Sequence, residues 1–166
     1  MCGATRARRR NNLAGEPHQF RTELSRGRKV SSIGAGIVHI LLADDRVDIR
    51  DRLRALLQTR SNFHVCAEAR NGREAVDLAC QKKPGIVIID INMPVVDGIE
   101  ATRQIRRSSA DTDVLVYTNE HDGDLIRAVL RAGARGYLLK SAGDNEIIAA
   151  IEALARRQVS SQKRGS

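Results

Sequence analysis

The sequence predicts an open α/β domain: five parallel strands alternating with five helices, the helices covering both faces of the sheet. Three observations carry this. Five short apolar runs follow one another between Val38 and Leu139, set off by polar or turn-forming residues. Each run is followed by a stretch whose apolar residues fall at helical spacing. The connections are short, and no internal repeat recurs.

The first strand is Val38 to Ala43 (VHILLA), ending in Asp44-Asp45. Ile49, Leu53, Leu56 and Leu57 then mark an amphipathic helix from Val47 to Thr59. A short second strand, Val65 to Ala69, is broken from the next helix by Asn71-Gly72. That helix, about 73–82, turns Ala75, Leu78 and Ala79 inward. The stretch Gly85 to Gly98 (GIVIIDINMPVVDG) supplies strand three, Ile86 to Ile89. Its unbroken branched aliphatics read as a strand buried on both faces, the kind found in parallel sheets. The strand delivers Asp90 to the carboxyl end of the sheet, where open α/β folds hold their ligands. Asn92, Met93 and Pro94 turn the chain, and Asp97-Gly98 leads into helix three, Ile99 to Arg107, with Ile99, Thr102 and Ile105 inward.

Strand four is Val114 to Tyr117, ending in Thr118. Asp122 or Gly123 begins a helix carrying Leu125, Ile126, Val129 and Leu130, stopped by Gly133. Strand five, Tyr137 to Leu139, ends in Lys140. Asp144 is the expected N-cap of the last helix, which buries Ile147, Ile148, Ile151 and Leu154. After Arg157 the periodic signal fades. The expected organisation is therefore a basic, disordered N-terminal extension at 1–37, one folded domain at 38–157 and a basic flexible tail at 158–166.

The net charge of +8 suggests nucleic acid until it is located. Residues 1–37 hold eight Arg/Lys against two Glu, and residues 156–166 hold four against none. The middle is slightly acidic, with sixteen basic and eighteen acidic residues, so the basicity belongs to the ends. A basic tail binds phosphates without specificity; a solvated tail is the commoner reason for one. The cysteines, Cys2, Cys66 and Cys80, form no CxxC and have no His at ligand spacing, which argues against a disulfide framework or a zinc site. No segment approaches the ~18 apolar residues of a membrane span. Arg8-Arg9-Arg10 is not followed by the apolar core of a signal peptide, so a cytoplasmic protein is expected.

Four strand ends bear groups with chemical potential: Asp44-Asp45, Asp90, Thr118 and Lys140. In a parallel sheet these converge on one edge. Clustered carboxylates raise each other's proton affinity unless a cation neutralises them. Asp44, Asp45 and Asp90 therefore suggest a hard divalent metal, and Mg2+ suits a few carboxylates with positions left for water or phosphate. Lys140 adds a point charge suited to a phosphoryl oxygen, and Thr118 a hydroxyl donor. A carboxylate nucleophile beside Mg2+ and Lys is equipment for accepting a phosphoryl group as an acyl phosphate. Against this stand two plainer roles: Asp45 as N-cap of the first helix, and Lys140 reaching along the surface to water.

The chain from about Val38 to Arg157 resembles the receiver domain of two-component response regulators, in the NarL-like group that usually precedes a LuxR-type helix-turn-helix. The residues that carry the resemblance are LLADD at 41–45, IIDINMPVVDGIEATRQI at 88–105, VYT at 116–118 and RAGARGYLLK at 131–140. The resemblance implies a flavodoxin-like (CheY-like) sheet in the order 2-1-3-4-5, and Asp90 as the phosphoacceptor. It implies Asp45, Asp90 and the backbone carbonyl of Asn92 as Mg2+ ligands, with Asp44 acting through water. Thr118, Lys140 and the backbone N–H of Asn119 would contact the phosphoryl group, and Thr118 with Tyr137 would form the switch pair. The implied partners are a sensor histidine kinase and a second receiver.

Three departures qualify the resemblance. Asn119 stands where the family usually has a small residue, with bulk enough to crowd the pocket or hydrogen-bond inside it. Ser141 follows Lys140 where many receivers have Pro. The residues after 157 hold no helix-turn-helix, so the chain reads as a stand-alone receiver or as one cut from its output, with DNA reached only through that missing domain. The alternatives are a receiver fold that no longer phosphorylates and serves as an interaction module, and a haloacid-dehalogenase-like phosphatase. The phosphatase family needs D-x-D-x-T after its first strand, where this chain has Asp44-Asp45-Arg46. A flavodoxin-type nucleotide site lacks its Gly-rich loop after strand one, since Gly34 and Gly36 precede that strand.

Overall fold

The computed structural model describes residues 36–162. Most of the expected N-terminal extension and the last residues of the basic tail lie outside that range. Ten elements alternate strictly: β1 (Val38–Ala43), α1 (Val47–Gln58), β2 (Phe63–Ala69), α2 (Gly72–Lys82), β3 (Ile86–Ile89), α3 (Gly98–Ser108), β4 (Asp113–Thr118), α4 (Gly123–Arg131), β5 (Gly136–Leu139) and α5 (Asp144–Gln162). The strands form one parallel sheet in the order β2-β1-β3-β4-β5.

The two-residue period of the strands divides the core in two. Leu41, Val87, Ile89, Val114 and Val116 face one way and meet Ala75, Ala79, Ala101, Ile105, Ile126 and Val129, so α2, α3 and α4 cover that face. Ile40, Leu42, Ile86, Ile88, Leu115 and Leu138 face the other way, against Leu53 and Leu57 of α1 and Ile147, Ile151 and Leu154 of α5. Burying both faces is why strand three is aliphatic at every position, and each such side chain contributes about 1.5–3 kcal/mol. Leu78, Ile99 and Leu130, expected inward, are partly buried at the margin of the first cluster.

Capping holds the elements to their limits. Asn71 accepts from Glu74 N–H at 2.9 Å and Asp97 from Glu100 N–H at 2.8 Å. Asp122 caps α4 by accepting from Asp124 N–H at 2.7 Å. Gly133, at φ +110°, provides the left-handed residue that ends the α4 turn.

Two expectations at α5 are corrected. Asp144 is not the N-cap: the Gly143 carbonyl takes the Glu146 and Ile147 N–H groups at 3.0 and 3.1 Å. Asp144 lies in the first turn and pairs with Arg52 of α1 at 3.0 Å instead. The flexible tail expected from residue 158 is helical as far as Gln162, because the Gln158 side-chain amide donates to the Gly85 carbonyl and fastens the added turn to the start of β3.

The strand ends stay in register past the last ladder residues. Ala43 pairs with Ile89 and Ile89 with Val116, while Thr118 pairs with Leu139. Asp44 N–H then donates to Ala69 C=O, Asp90 N–H to Ala43 C=O and Lys140 N–H to Thr118 C=O, at 3.1, 2.9 and 2.8 Å. The chemistry-bearing residues are thus held by the sheet itself.

Candidate functional site

Asp44, Asp90, Thr118 and Lys140 are all buried, at 2, 6, 0 and 9% exposure, and meet at the carboxyl edge of β1, β3, β4 and β5. Asp45 is exposed at the mouth. Lys140 Nζ lies 2.9 Å from Asp90 Oδ2 and 2.6 Å from Asp44 Oδ2. Lys140 is therefore inside the site and does not reach along the surface to water. Asp45 is not a helix cap either: Arg46 occupies the N-cap of α1, with no side-chain capping bond.

Asp90 is engaged through both oxygens, Oδ2 by Lys140 and Oδ1 by the N–H of Ile91 at 2.8 Å. Asp44 Oδ1 accepts from Arg46 N–H at 3.0 Å. Its Oδ2 is different. The ammonium stands close enough for an ion pair but off the direction of a hydrogen bond, so this buried oxygen has no hydrogen-bond partner. Burial pushes the Asp44 carboxyl above the usual carboxylate range, against the lowering influence of Lys140 and the Arg46 N–H. For Lys140, burial works against the ammonium, but the neighbouring carboxylates of Asp44 and Asp90 outweigh it and leave its pKa raised.

One oxygen each from Asp44, Asp45 and Asp90 lie within 4.8 Å of one another, the candidate metal cluster among the described residues. The donors are all hard oxygens, Asp45 is open to solvent, and the buried Asp44 Oδ2 has no hydrogen-bond donor. The residues fit Mg2+.

The rim is formed by two loops. Asn92, after β3, donates through its side-chain amide to Glu120, after β4, at 2.5 Å. Thr118 Oγ1 accepts from the Glu120 N–H at 3.2 Å. An open cavity of about 510 Å³ beside Asp45 is lined by Met93, Pro94, Asp97, Ile99 and Leu125. Asn119, after Thr118, is exposed. Tyr137 is buried in the α2–α3–α4 cluster, opposite Val116 on the neighbouring strand.

Gly98 holds the floor of the site. Its N–H donates to Ile91 C=O at 2.8 Å, and a Cβ built on it would lie 2.0 Å from the Asp90 carbonyl oxygen. The turn between them places Val95 at φ +71° with 80% exposure. A β-branched residue in that conformation is strained.

Sequence reading missed two contributors. Glu120 is invisible to it because its partner Asn92 lies on another loop. Arg50 is buried, and its Nη1 donates to the Asp44 carbonyl at 2.7 Å. A signal for Arg50 existed: with Leu53 and Leu57 it makes an i, i+3, i+7 stripe, and those three are the buried residues of α1.

The model of the response regulator receiver domain matches residues 40–152. The chain is 41% identical over 115 residues to the transcriptional regulatory protein LnrK of Bacillus subtilis (strain 168), covering 69% of this chain and 52% of LnrK. Among solved structures, a two-component response regulator of the LuxR family from Aurantimonas sp. SI85-9A1 superposes with a TM-score of 0.69 at 35% identity, over 72% of this chain and 86% of that one. The response regulator domain of Thermotoga maritima CheB gives 0.62 at 30% identity, over 74% and 95%. The chain spans about half the length of the curated relatives it matches.

Proposed function

Because the chain belongs to the response regulator receiver family, a signalling domain related to transcriptional regulators, we propose that it is a phosphorylation switch with Asp90 as the phosphoacceptor. The observation that carries the reading is the meeting of Asp44, Asp45 and Asp90 around one point, with Lys140 bridging two of them. An Asp90 oxygen attacks the phosphorus of a phosphohistidine on a sensor kinase. The P–N bond breaks, the imidazole leaves and takes up a proton, and an acyl phosphate remains.

Mg2+ would be held by Asp45, Asp90 and the Asn92 backbone carbonyl, with Asp44 through water, and would neutralise charge on the phosphoryl oxygens. Lys140 exchanges the Asp90 oxygen for a phosphoryl oxygen while Asp44 keeps it in place. Thr118, at the end of β4, turns its hydroxyl from the Glu120 N–H toward the phosphate, with the Asn119 N–H as a further donor. Tyr137, on the neighbouring strand, reads that shift and passes it to the α4 face. That face then engages a second receiver or an output. The relatives are transcriptional regulators, so DNA is reached through a part other than the matched receiver.

The test is labelling by a small acyl phosphate with Mg2+, followed by intact-protein mass. Wild-type protein gains one phosphoryl group and Asp90→Asn gains none. Full labelling of Asp90→Asn, or no labelling of the wild type, sinks the assignment.

A further inference from the structure

Arg50 and Lys140 are the buried cations among the described residues, and the chemistry above uses only Lys140. Arg50 projects from α1 with 6% exposure. Its Nη1 donates to the Asp44 carbonyl at 2.7 Å and its Nε to Glu68 Oε2 on β2 at 3.1 Å. Glu68 is itself braced by Arg54 at 2.6 Å, and Arg54 by Asp51 at 2.9 Å. The guanidinium fork therefore spans the β1–α1 elbow and ties it to the neighbouring strand.

The elbow is the joint that sends two adjacent carboxylates in different directions. Asp44 is buried beside Lys140, and Asp45 is exposed at the mouth. That divergence depends on the peptide plane between them. On one side Asp44 N–H is fixed to the Ala69 carbonyl at 3.1 Å. On the other, the Asp44 carbonyl is fixed by Arg50. Asp44 Oδ1 on Arg46 N–H at 3.0 Å adds a third restraint. Without the guanidinium, the carbonyl would be buried without its charged donor and free to rotate, and rotation of that plane swings Asp45 relative to Asp90.

We infer that Arg50 is a positioning residue for the divalent-cation site: by holding the Asp44 carbonyl it sets the Asp44–Asp45 pair against Asp90. The inference rests on the reading of these carboxylates as a Mg2+ site. Groups that orient metal ligands from behind typically change metal affinity about 10–100-fold when removed, and Arg50 holds the Asp44 backbone in that way.

The experiment is a calorimetric Mg2+ titration of the full chain, with circular dichroism melts to establish that each variant is folded. Asp45→Asn tests the metal reading: wild-type binding that Asp45→Asn abolishes supports it, and a wild type without Mg2+ affinity overturns both it and the inference. Arg50→Met is expected to bind at least about 10-fold more weakly, with acyl-phosphate labelling restored at saturating Mg2+. Arg50→Lys, which keeps the charge but cannot hold the Asp44 carbonyl and Glu68 at once, is expected to recover only part of the wild-type affinity. A folded Arg50→Met with wild-type Mg2+ affinity overturns the inference while leaving the metal site standing. If Arg50→Met does not fold, Arg50→Gln, which removes the charge and is too short to hold the Asp44 carbonyl and Glu68 together, takes its place. Loss of affinity in that variant supports the inference, and a wild-type affinity overturns it.

Discussion

Replacing Gly98 by Ala sets two effects of opposite sign against each other. Gly98 opens α3, where Ala is the better helix former by about 0.5–1 kcal/mol. The added methyl, however, would lie 2.0 Å from the Asp90 carbonyl oxygen and 2.8 Å from both the Asp90 carbonyl carbon and Ile91 Cα. Real Cβ contacts essentially never fall under 3.0 Å, so about 1 Å of separation must be found. All three obstructing atoms are backbone, two of them in Asp90, the proposed phosphoacceptor, and one in Ile91. Overpacking of this kind costs typically about 1–3 kcal/mol, which exceeds the propensity gain. A displacement of about 1 Å at a reacting group costs roughly 100-fold in rate. Gly98→Ala should therefore melt below the wild type and label with acyl phosphate about 100-fold more slowly. The assay is the initial labelling rate at saturating Mg2+ beside a thermal melt. An unchanged rate together with an unchanged or higher Tm would refute the reasoning, since it would mean that α3 slides outward at no expense to Asp90.

Three further outcomes are expected. Val95→Gly should raise stability by up to about 1 kcal/mol, because relief of the left-handed strain exceeds the flexibility gained by the unfolded chain and the side chain buries little; a lower melting temperature would show that the strain is absent. Glu68 has its pKa lowered, first by Arg54, against a burial effect that raises it, with Arg50 lowering it further. Its contribution of about 1–2 kcal/mol is thus present above the unfolded-state value and lost as the pH falls through the folded one. In urea melts, the stability gap between wild type and Glu68→Gln should be largest near neutrality and shrink below about pH 4.5; a gap independent of pH would contradict the pairing. Ile151→Ala, at a fully buried position of α5, should cost about 2–5 kcal/mol by chemical denaturation and leave Mg2+ affinity in the folded protein unchanged.

Most of the sheet was legible because burial on both faces leaves a one-dimensional trace. Ile86 to Ile89 needs no partner to be recognised as a central strand, and the polar residue that stops each such run must lie at an edge. The helix limits were legible where a side chain caps a backbone N–H, as Asn71, Asp97 and Asp122 do. At Asp144 the same signal misled, because a backbone carbonyl supplied the cap and left the carboxylate free for Arg52. Arg50 was hidden for a related reason. A helical period marks which face is inward, but charge argues a residue outward, and only the carbonyl and Glu68 waiting beneath α1 reverse that. The Asn92–Glu120 bridge joins loops whose nearness depends on strand order, a property the sequence shows only through resemblance.

The charge inventory of the site explains why one lysine suffices to hold it and not to complete it. Three carboxylates face a single ammonium, and that ammonium divides itself between Asp44 and Asp90. Asp45 can face water, so it costs the fold little. Asp44 cannot: it is buried, its Oδ2 lacks a hydrogen bond, and its carboxyl is pushed upward in pKa. A divalent cation bound at the three acids would offset part of that charge. The proposed phosphoryl group on Asp90 would bring new negative charge beside Lys140, whose Nζ already lies 2.9 Å from Asp90 Oδ2. Because Asp44 holds the ammonium at 2.6 Å, Lys140 can change its second partner without leaving the site. The C=O of Lys140 accepts from Tyr117 OH at 3.3 Å, a hydroxyl that Arg52 of α1 also reaches at 3.4 Å. The proposed transfer at Asp90 thus acts on a residue whose backbone is bonded toward the α1–α5 face through Tyr117 and to the Thr118 carbonyl of β4 through its own N–H at 2.8 Å, and both directions begin at the end of β5.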